Sequence, residues 1–225
     1  MKTNPSNGYR NGTMYSSYTA ASFARKYLLA DSFKVNFTGA VTWAFEFEDQ
    51  PWFYGFRDLA TNGVDKPVLN VFRMFGKMSG KRVQAAGSQM YGLKTMVDSS
   101  VRKNYNDVGA LAAKDKKSAT VMVWNYHDDD VIKPALPVAI TIDGLTVKSV
   151  TLTEYRIDDE HSNSYELWKQ MGSPQNPTKD QIAALEKAGQ LQTMGAPGKL
   201  KVNNGVLTVN ISLPQQGVSL LKLDW

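Results

Sequence analysis

Apolar residues recur at helical spacing in two stretches of the first third of the chain. In residues 13–33 the repeat places these side chains on one side: Met14, Tyr18, Ala21, Ala24 and Leu28. This pattern predicts a helix. A second repeat opens at Pro67, where proline fits a first helical turn, and it ends near Gly76.

The run between these helices, residues 40–47, is apolar on both faces and rich in β-branched and aromatic residues. It predicts a buried parallel strand. A helix–strand–helix segment cannot bury itself, because a parallel strand needs neighbours on both sides and helices over its faces. A complete (β/α)8 barrel takes about 250 residues, which exceeds the 225 of this chain. The segment is therefore expected to be the last part of such a barrel.

Alternating patterns replace helical ones from about residue 84. Strands are predicted at residues 119–126, 137–143, 147–157, 199–202, 205–213 and 217–223. Their number and spacing favour an antiparallel sandwich. Helices are predicted at 162–171 and at 178–188, the second with Thr178 and Gln181 as a capping box. The expected fold is mixed, with a barrel remnant (last helix-strand-helix) in residues 1–80 and an antiparallel β-sandwich with two inserted helices in residues 81–225.

Composition narrows the functional classes. The chain is 42% hydrophobic and 21% charged, as expected of a folded, soluble protein. No window approaches the run of about 18 apolar residues that spans a bilayer, and the N-terminus lacks the apolar stretch of a secretory signal. The absence of cysteine excludes disulfides and thiolate sites. The net charge of +5 comes from scattered residues, so neither a nucleic-acid partner nor a membrane is expected.

Candidate chemistry is concentrated in residues 43–54, where aromatic rings alternate with carboxylates. Rings pack on the C–H faces of sugars and acids accept hydrogen bonds from their hydroxyls, so this pattern suits a carbohydrate. The alternative is a packed strand end followed by a solvated acidic turn. Glu46 and Glu48 lie about 6.6 Å apart if the segment is extended. They would approach a glycosidic bond from one side, which suits an acid and nucleophile pair poorly.

Both histidines lie beside acidic runs, at residues 127–130 and 158–161. If the two turns met, their carboxylates could hold a hard cation. The favoured interpretation is structural, because such residues form turns and supply negative charge at helix N-termini. No metal and no other cofactor is expected.

Two groups of motifs carry a resemblance to a known family. Thr42-Trp43-Ala44-Phe45-Glu46-Phe47-Glu48-Asp49, followed by residues 65–75, resembles glycoside hydrolase family 39, which contains β-xylosidases and α-iduronidases. Residues 123–130, 155–165 and 171–174 are similar to the C-terminal β-sandwich of bacterial β-xylosidases in that family. The resemblance covers nearly the whole chain.

The resemblance implies a (β/α)8 barrel followed by a sandwich, with this chain supplying the seventh helix, eighth strand, eighth helix and sandwich. The family's acid/base glutamate follows an asparagine, and no Asn-Glu dipeptide occurs here. Both catalytic glutamates are therefore expected upstream, and no catalytic residue is assigned. Trp43 resembles the family's aromatic platform, and Glu46 or Glu48 its acids that bind sugar hydroxyls.

The leading hypothesis is the C-terminal part of a retaining β-xylosidase that acts on xylose-containing oligosaccharides and is inactive in isolation. One alternative is a noncatalytic sandwich module for carbohydrate binding or oligomerisation. Another is an independent hydrolase using Glu46, Glu48 or Asp49. An unpaired apolar strand at residues 41–47 should seek a partner, so a homo-oligomer is expected. The localisation is not predicted beyond two alternatives, the cytoplasm or the periplasm of a bacterium.

Overall fold

The computed structural model describes residues 6–102, 105–131 and 133–225. Its helices are α1 (Ser6–Asn11), α2 (Thr13–Phe33), α3 (Pro67–Lys77), α4 (Leu93–Ser99), α5 (Ser164–Gln170) and α6 (Lys179–Gly189). Its strands are β1 (Ala60–Thr61), β2 (Val64–Asp65), β3 (Lys81–Val83), β4 (Asp107–Lys114), β5 (Ser118–Tyr126), β6 (Leu136–Ile142), β7 (Ser149–Ile157), β8 (Gln192–Thr193), β9 (Gly198–Lys201), β10 (Leu207–Leu213) and β11 (Val218–Asp224).

A seven-stranded antiparallel sheet forms the centre of the molecule, in the order β3-β4-β5-β11-β7-β8, with β9 pairing β7 next to β8. A second sheet consists of β6 and β10. The predicted antiparallel sandwich is thus confirmed, and each of its six predicted strands begins and ends within two residues of an observed strand. The two inserted helices and the Thr178–Gln181 capping box are also confirmed.

Alternation along β5 divides the core into two halves. Met122 and Trp124 face α2 and α3, whereas Val121 and Val123 face the β6–β10 sheet. The molecule therefore has three layers: helices, the large sheet and the small sheet.

The helical layer packs closely on the large sheet because α2 presents small residues to it. Ala20, Ala21 and Ala24 of α2 join Val71 and Met74 of α3 in one hydrophobic cluster with the sheet. This core contains side chains from both sides of residue 80, and the division of the chain there stays a prediction.

Among the described residues, no helix is long and apolar enough to cross a lipid bilayer.

The predicted strand at residues 40–47 is wrong as a local assignment, since these residues form no strand. A strand exists through hydrogen bonds to neighbouring strands, and no strand of the described residues pairs with this run. Its outward side chains are consequently exposed, with Val41 at 96%. That this region is a barrel remnant stays a prediction.

The longest strand that sequence patterns miss is β4, whose alanines and glycine have low strand propensity. It forms because β5 offers it a full ladder from Asp107↔Tyr126 to Lys114↔Ala119. Gly109 is required there, because a Cβ at this position would come within 2.5 Å of the Trp124 ring.

Candidate functional site

Residues 40–48, called the extended segment below, cross the surface beside the hairpin formed by β1 and β2. The Phe45 carbonyl oxygen accepts hydrogen bonds from the N–H groups of Leu59 (2.8 Å) and Ala60 (3.0 Å). Exposure alternates along the segment, and Trp43 on its outward side is 86% exposed. The predicted aromatic platform is thus open to a ligand.

The two predicted acidic residues differ in environment. The Glu46 carboxylate is partly buried and its Oε1 accepts a hydrogen bond of 2.8 Å from the N–H of Gly63 in the β1–β2 turn. Glu48 is exposed. Glu46 therefore lies on the hairpin side of the segment and Trp43 on the outward side, so the structure does not gather the three residues into one pocket.

The turn that holds Glu46 has a recognisable sequence. Asn62 and Gly63 take positive φ values of 47° and 80° and connect β1 to β2. Asn-Gly is a typical signal of a two-residue hairpin, so this contact to the site could have been predicted.

Further aromatic side chains lie next to the extended segment. Phe47 packs against Phe56 with ring centroids 4.8 Å apart, and Tyr54 lies 5.8 Å from Phe56. Tyr54 is 55% exposed and Phe56 is 37% exposed. They add apolar ring surface beside the acidic residues, as a sugar-contacting surface requires.

Phe53 anchors this aromatic loop in the interior. It is fully buried and its ring lies 5.3 Å from Tyr165 and 5.0 Å from Trp168. Its φ is +50°, which is unfavourable for a bulky residue. Two hydrogen bonds hold the backbone there: the Phe53 N–H donates to Thr61 Oγ1, and Asn11 Nδ2 donates to the Phe53 carbonyl oxygen. As a result the chain turns inward at Phe53 and outward at Tyr54.

A buried ion pair between Lys66 and Asp58 fixes the other end of the loop. The Lys66 side chain is 1% exposed, and its Nζ also lies 3.4 Å from the Phe56 carbonyl oxygen. Burial lowers the pKa of Lys66, and the bond to Asp58 together with the charge of Glu46 opposes this change only in part. Sequence reasoning missed this pair, since only Pro67 beside it signalled a structural role.

The acidic turns act structurally, as the favoured interpretation predicted. Asp158 Oδ1 accepts hydrogen bonds from the N–H groups of Glu160 and His161, both at 2.9 Å. Asp128 binds the N–H of Val101 and the Tyr126 hydroxyl. Burial raises the pKa of Asp128, but hydrogen bonds from these and neighbouring groups outweigh that effect and lower it overall.

A separate cleft lies away from the extended segment. It has a volume of about 710 Å³ and opens between β4 and β6. Its lining is mostly aliphatic, with Val108, Ala110, Val138 and Ile140 among its residues. It contains no aromatic side chain and none of the predicted substrate-binding residues, so its chemistry does not suit a sugar.

The relatives that share detectable similarity with this chain include two bacterial β-xylosidases. A β-xylosidase of Caldicellulosiruptor saccharolyticus is 23% identical over 177 residues, which are 76% of this chain and 32% of the relative. A β-xylosidase of Geobacillus stearothermophilus is 21% identical over 170 residues, or 76% of this chain and 29% of the relative. The chain thus spans about a third of the length of these relatives.

Solved structures share the fold. A GH39 enzyme from Xanthomonas axonopodis pv. citri superposes with a TM-score of 0.74 at 15% identity, over 98% of this chain and 42% of that one. A monomeric β-xylosidase from Caulobacter crescentus CB15 gives 0.73 at 17% identity, over 99% and 43%. The sequence model of glycosyl hydrolases family 39 matches residues 2–199. Because that match extends over most of the chain, the resemblance noted in the motifs is confirmed and the chain belongs to glycosyl hydrolase family 39.

Proposed function

We propose that this chain is the C-terminal part of a retaining β-xylosidase and that xylose-containing oligosaccharides are its substrates. The observation that carries the proposal is the match of three quarters of the chain to β-xylosidases of two bacteria. The exposed ring of Trp43 supports a sugar as the ligand.

In this proposal the two catalytic glutamates lie outside the chain. A retaining glycosidase needs two carboxyl groups about 5–5.5 Å apart that flank the scissile bond. Glu46 and Glu48 come from one short segment, and Glu46 is engaged with the Gly63 N–H. They are suited to accept hydrogen bonds from sugar hydroxyls rather than to attack from opposite sides.

Trp43 supplies the apolar part of this contact. Its ring is open to solvent, so packing against the C–H face of a sugar would remove apolar surface from water on both partners. Glu48 is exposed two positions beyond Glu46 and can accept a further hydroxyl hydrogen bond. This chain therefore binds and orients sugar while the chemistry takes place on residues that it does not contribute.

Xylotriose binding, followed by calorimetry, tests the binding role. We expect weak binding that falls about tenfold in Trp43→Ala, because an aromatic contact contributes about 0.5–1.5 kcal/mol beyond its buried area. Tyr105→Ala is the matched control, since Tyr105 is also exposed, at 68%. Equal xylotriose affinities for the two variants would show that Trp43 does not contact the sugar.

Hydrolysis of an aryl β-xyloside by the purified chain, with its mass verified at 25.0 kDa, tests the placement of the catalytic pair. We expect no turnover at high protein concentration. Turnover that disappears in Glu46→Gln, Glu48→Gln or Asp49→Asn would overturn the upstream assignment and favour an independent hydrolase.

A further inference from the structure

Residues 50–57, called the aromatic loop below, run from the extended segment to the buried Asp58. The rings of Tyr54 and Phe56 in this loop both reach solvent. Phe56 packs against Tyr54 on one side and against Phe47 of the extended segment on the other, so these rings lie beside the predicted sugar-contacting residues. The conformation of the loop therefore decides how much ring surface a sugar meets there.

The backbone of the aromatic loop turns at Trp52 and Phe53. Phe53 combines a positive φ with a fully buried side chain, whereas the side chain of Tyr54 next to it is exposed. A bulky residue keeps a positive φ only where the surrounding structure holds it. The outward placement of Tyr54 thus depends on contacts from outside the loop.

Helix α5 and the connection that follows it supply contacts of this kind, and both belong to the part of the chain that interrupts the sandwich strands. The rings of Tyr165 and Trp168 flank the buried ring of Phe53. Trp168 Nε1 also donates a hydrogen bond of 2.9 Å to the Pro174 carbonyl oxygen, which fixes the connection on the helix. The next residue, Gln175, contacts the aromatic loop directly.

The side chain of Gln175 binds both polar groups of the Trp52 backbone. The Trp52 N–H donates to Gln175 Oε1 at 2.9 Å, and Gln175 Nε2 donates to the Trp52 carbonyl oxygen at 3.3 Å. This exchange of two bonds resembles a hydrogen-bonded pair of residues in antiparallel strands. The side-chain amide thus restrains the peptide groups on both sides of Trp52, immediately before the turn at Phe53.

We propose that Gln175 is a positioning residue of the sugar site, which acts through Trp52 to hold the Tyr54 ring towards the sugar. The inference rests on the proposed function, because it takes the extended segment and the aromatic loop as the sugar-contacting surface. A residue of the predicted sandwich domain then sets the affinity of a site in residues 43–56. Gln175 is exposed, so its replacement leaves the buried anchor of Phe53 in place.

Calorimetric binding of xylotriose to the full chain tests this proposal. Gln175→Met keeps the length of the side chain but removes both hydrogen-bonding groups, and it should weaken binding about two- to tenfold. Gln175→Glu keeps an acceptor for the Trp52 N–H and should restore part of the affinity. Gln84→Met is the matched control, since Gln84 is an exposed glutamine on another part of the surface. It should bind as the unmodified protein does.

A double-mutant cycle with Tyr54→Ala separates positioning from a general structural effect. Tyr54→Ala alone should weaken binding, and adding Gln175→Met to it should cost little further affinity, because the ring that Gln175 positions is already absent. Equal losses from Gln175→Met with and without Tyr54 overturn the positioning role, as does unchanged affinity in Gln175→Met. Absence of xylotriose binding by the unmodified protein instead overturns the proposed function, and this inference with it.

Discussion

Two runs of similar composition differ in burial in this molecule. Residues 119–124 read Ala-Thr-Val-Met-Val-Trp and residues 40–45 read Ala-Val-Thr-Trp-Ala-Phe. In β5, Met122 is fully buried and Trp124 is 1% exposed, whereas Val41 and Trp43 are 96% and 86% exposed. Similar residues thus occupy the centre of the core in one case and the surface in the other.

The difference lies in the neighbours. β5 pairs with β4 on one edge and β11 on the other along most of its length. The extended segment receives backbone hydrogen bonds only at the Phe45 carbonyl, as far as the described residues show. Strand propensity is therefore a preference for a pleated, half-buried surface, and without partners it produces no strand.

The largest expected effect compares the two tryptophans. Trp124→Ala should lower the free energy of unfolding by about 5 kcal/mol, since it leaves a large cavity and removes the 2.7 Å bond from Nε1 to the buried Asp107 carboxylate. Trp43→Ala should change it by less than about 0.5 kcal/mol. Urea unfolding at submicromolar concentration measures both. Comparable losses would show that Trp43 also belongs to the folded core.

The sandwich strands could be predicted from sequence because their partners lie within the same chain. Turn signals such as Asn203-Asn204-Gly205 separate them, and the observed turn has Gly205 at a φ of +82°. β4 was missed because its alanines and glycine have low strand propensity, and local propensity does not report the ladder that β5 offers it.

The candidate site could be predicted in part. Residue types in the extended segment identified Trp43, Glu46 and Glu48 as sugar-contacting residues, and that role stays a prediction. The contacts that fix the loop could not be read locally, since Lys66 meets Asp58 and Gln175 meets Trp52 only in the folded chain.

The Lys66–Asp58 pair should control whether the loop keeps its place beside the extended segment. Lys66→Met leaves the Asp58 carboxylate buried without its partner and should cost about 3–4 kcal/mol. Lys116→Met, at an exposed turn, is the control and should change stability by less than about 0.5 kcal/mol. Chemical denaturation at neutral pH measures both.

The contribution of Lys66 to the free energy of unfolding should depend on pH, and the direction of that dependence follows from its lowered pKa. Because the folded pKa of Lys66 lies below its usual 10.5, the unfolded chain binds more protons between the two values, and stability from this group rises with pH there. The stability of the unmodified protein minus that of Lys66→Met should therefore grow as pH approaches 10.5, by less than about 1.4 kcal/mol per pH unit. A difference that falls with rising pH would contradict the burial effect.

Adding one methyl group at each of two glycines should affect the stability of β4 and of the chain beside the extended segment differently. Gly109→Ala places a Cβ 2.5 Å from Trp124 Cζ2 and should cost about 1–3 kcal/mol by overpacking. Gly39→Ala meets nothing within 4 Å and should be close to neutral. Thermal unfolding separates the two outcomes. A costly Gly39→Ala would mean that the chain just before the extended segment is more tightly packed than its exposure indicates.

The smallest effect concerns the Glu46 carboxylate, which ties the extended segment to the β1–β2 hairpin. Glu46→Ala removes the acceptor of the Gly63 N–H, and a hydrogen bond of this kind contributes about 0.5–1.5 kcal/mol. Exchange of the Gly63 amide should accelerate by up to about tenfold, while Glu48→Ala leaves it unchanged. Glu46→Gln retains an acceptor oxygen and should restore most of the protection. If Glu46→Gln restores protection at Gly63 but not xylotriose affinity, the carboxylate itself binds the sugar. If it restores both, Glu46 serves to position the segment that carries Trp43.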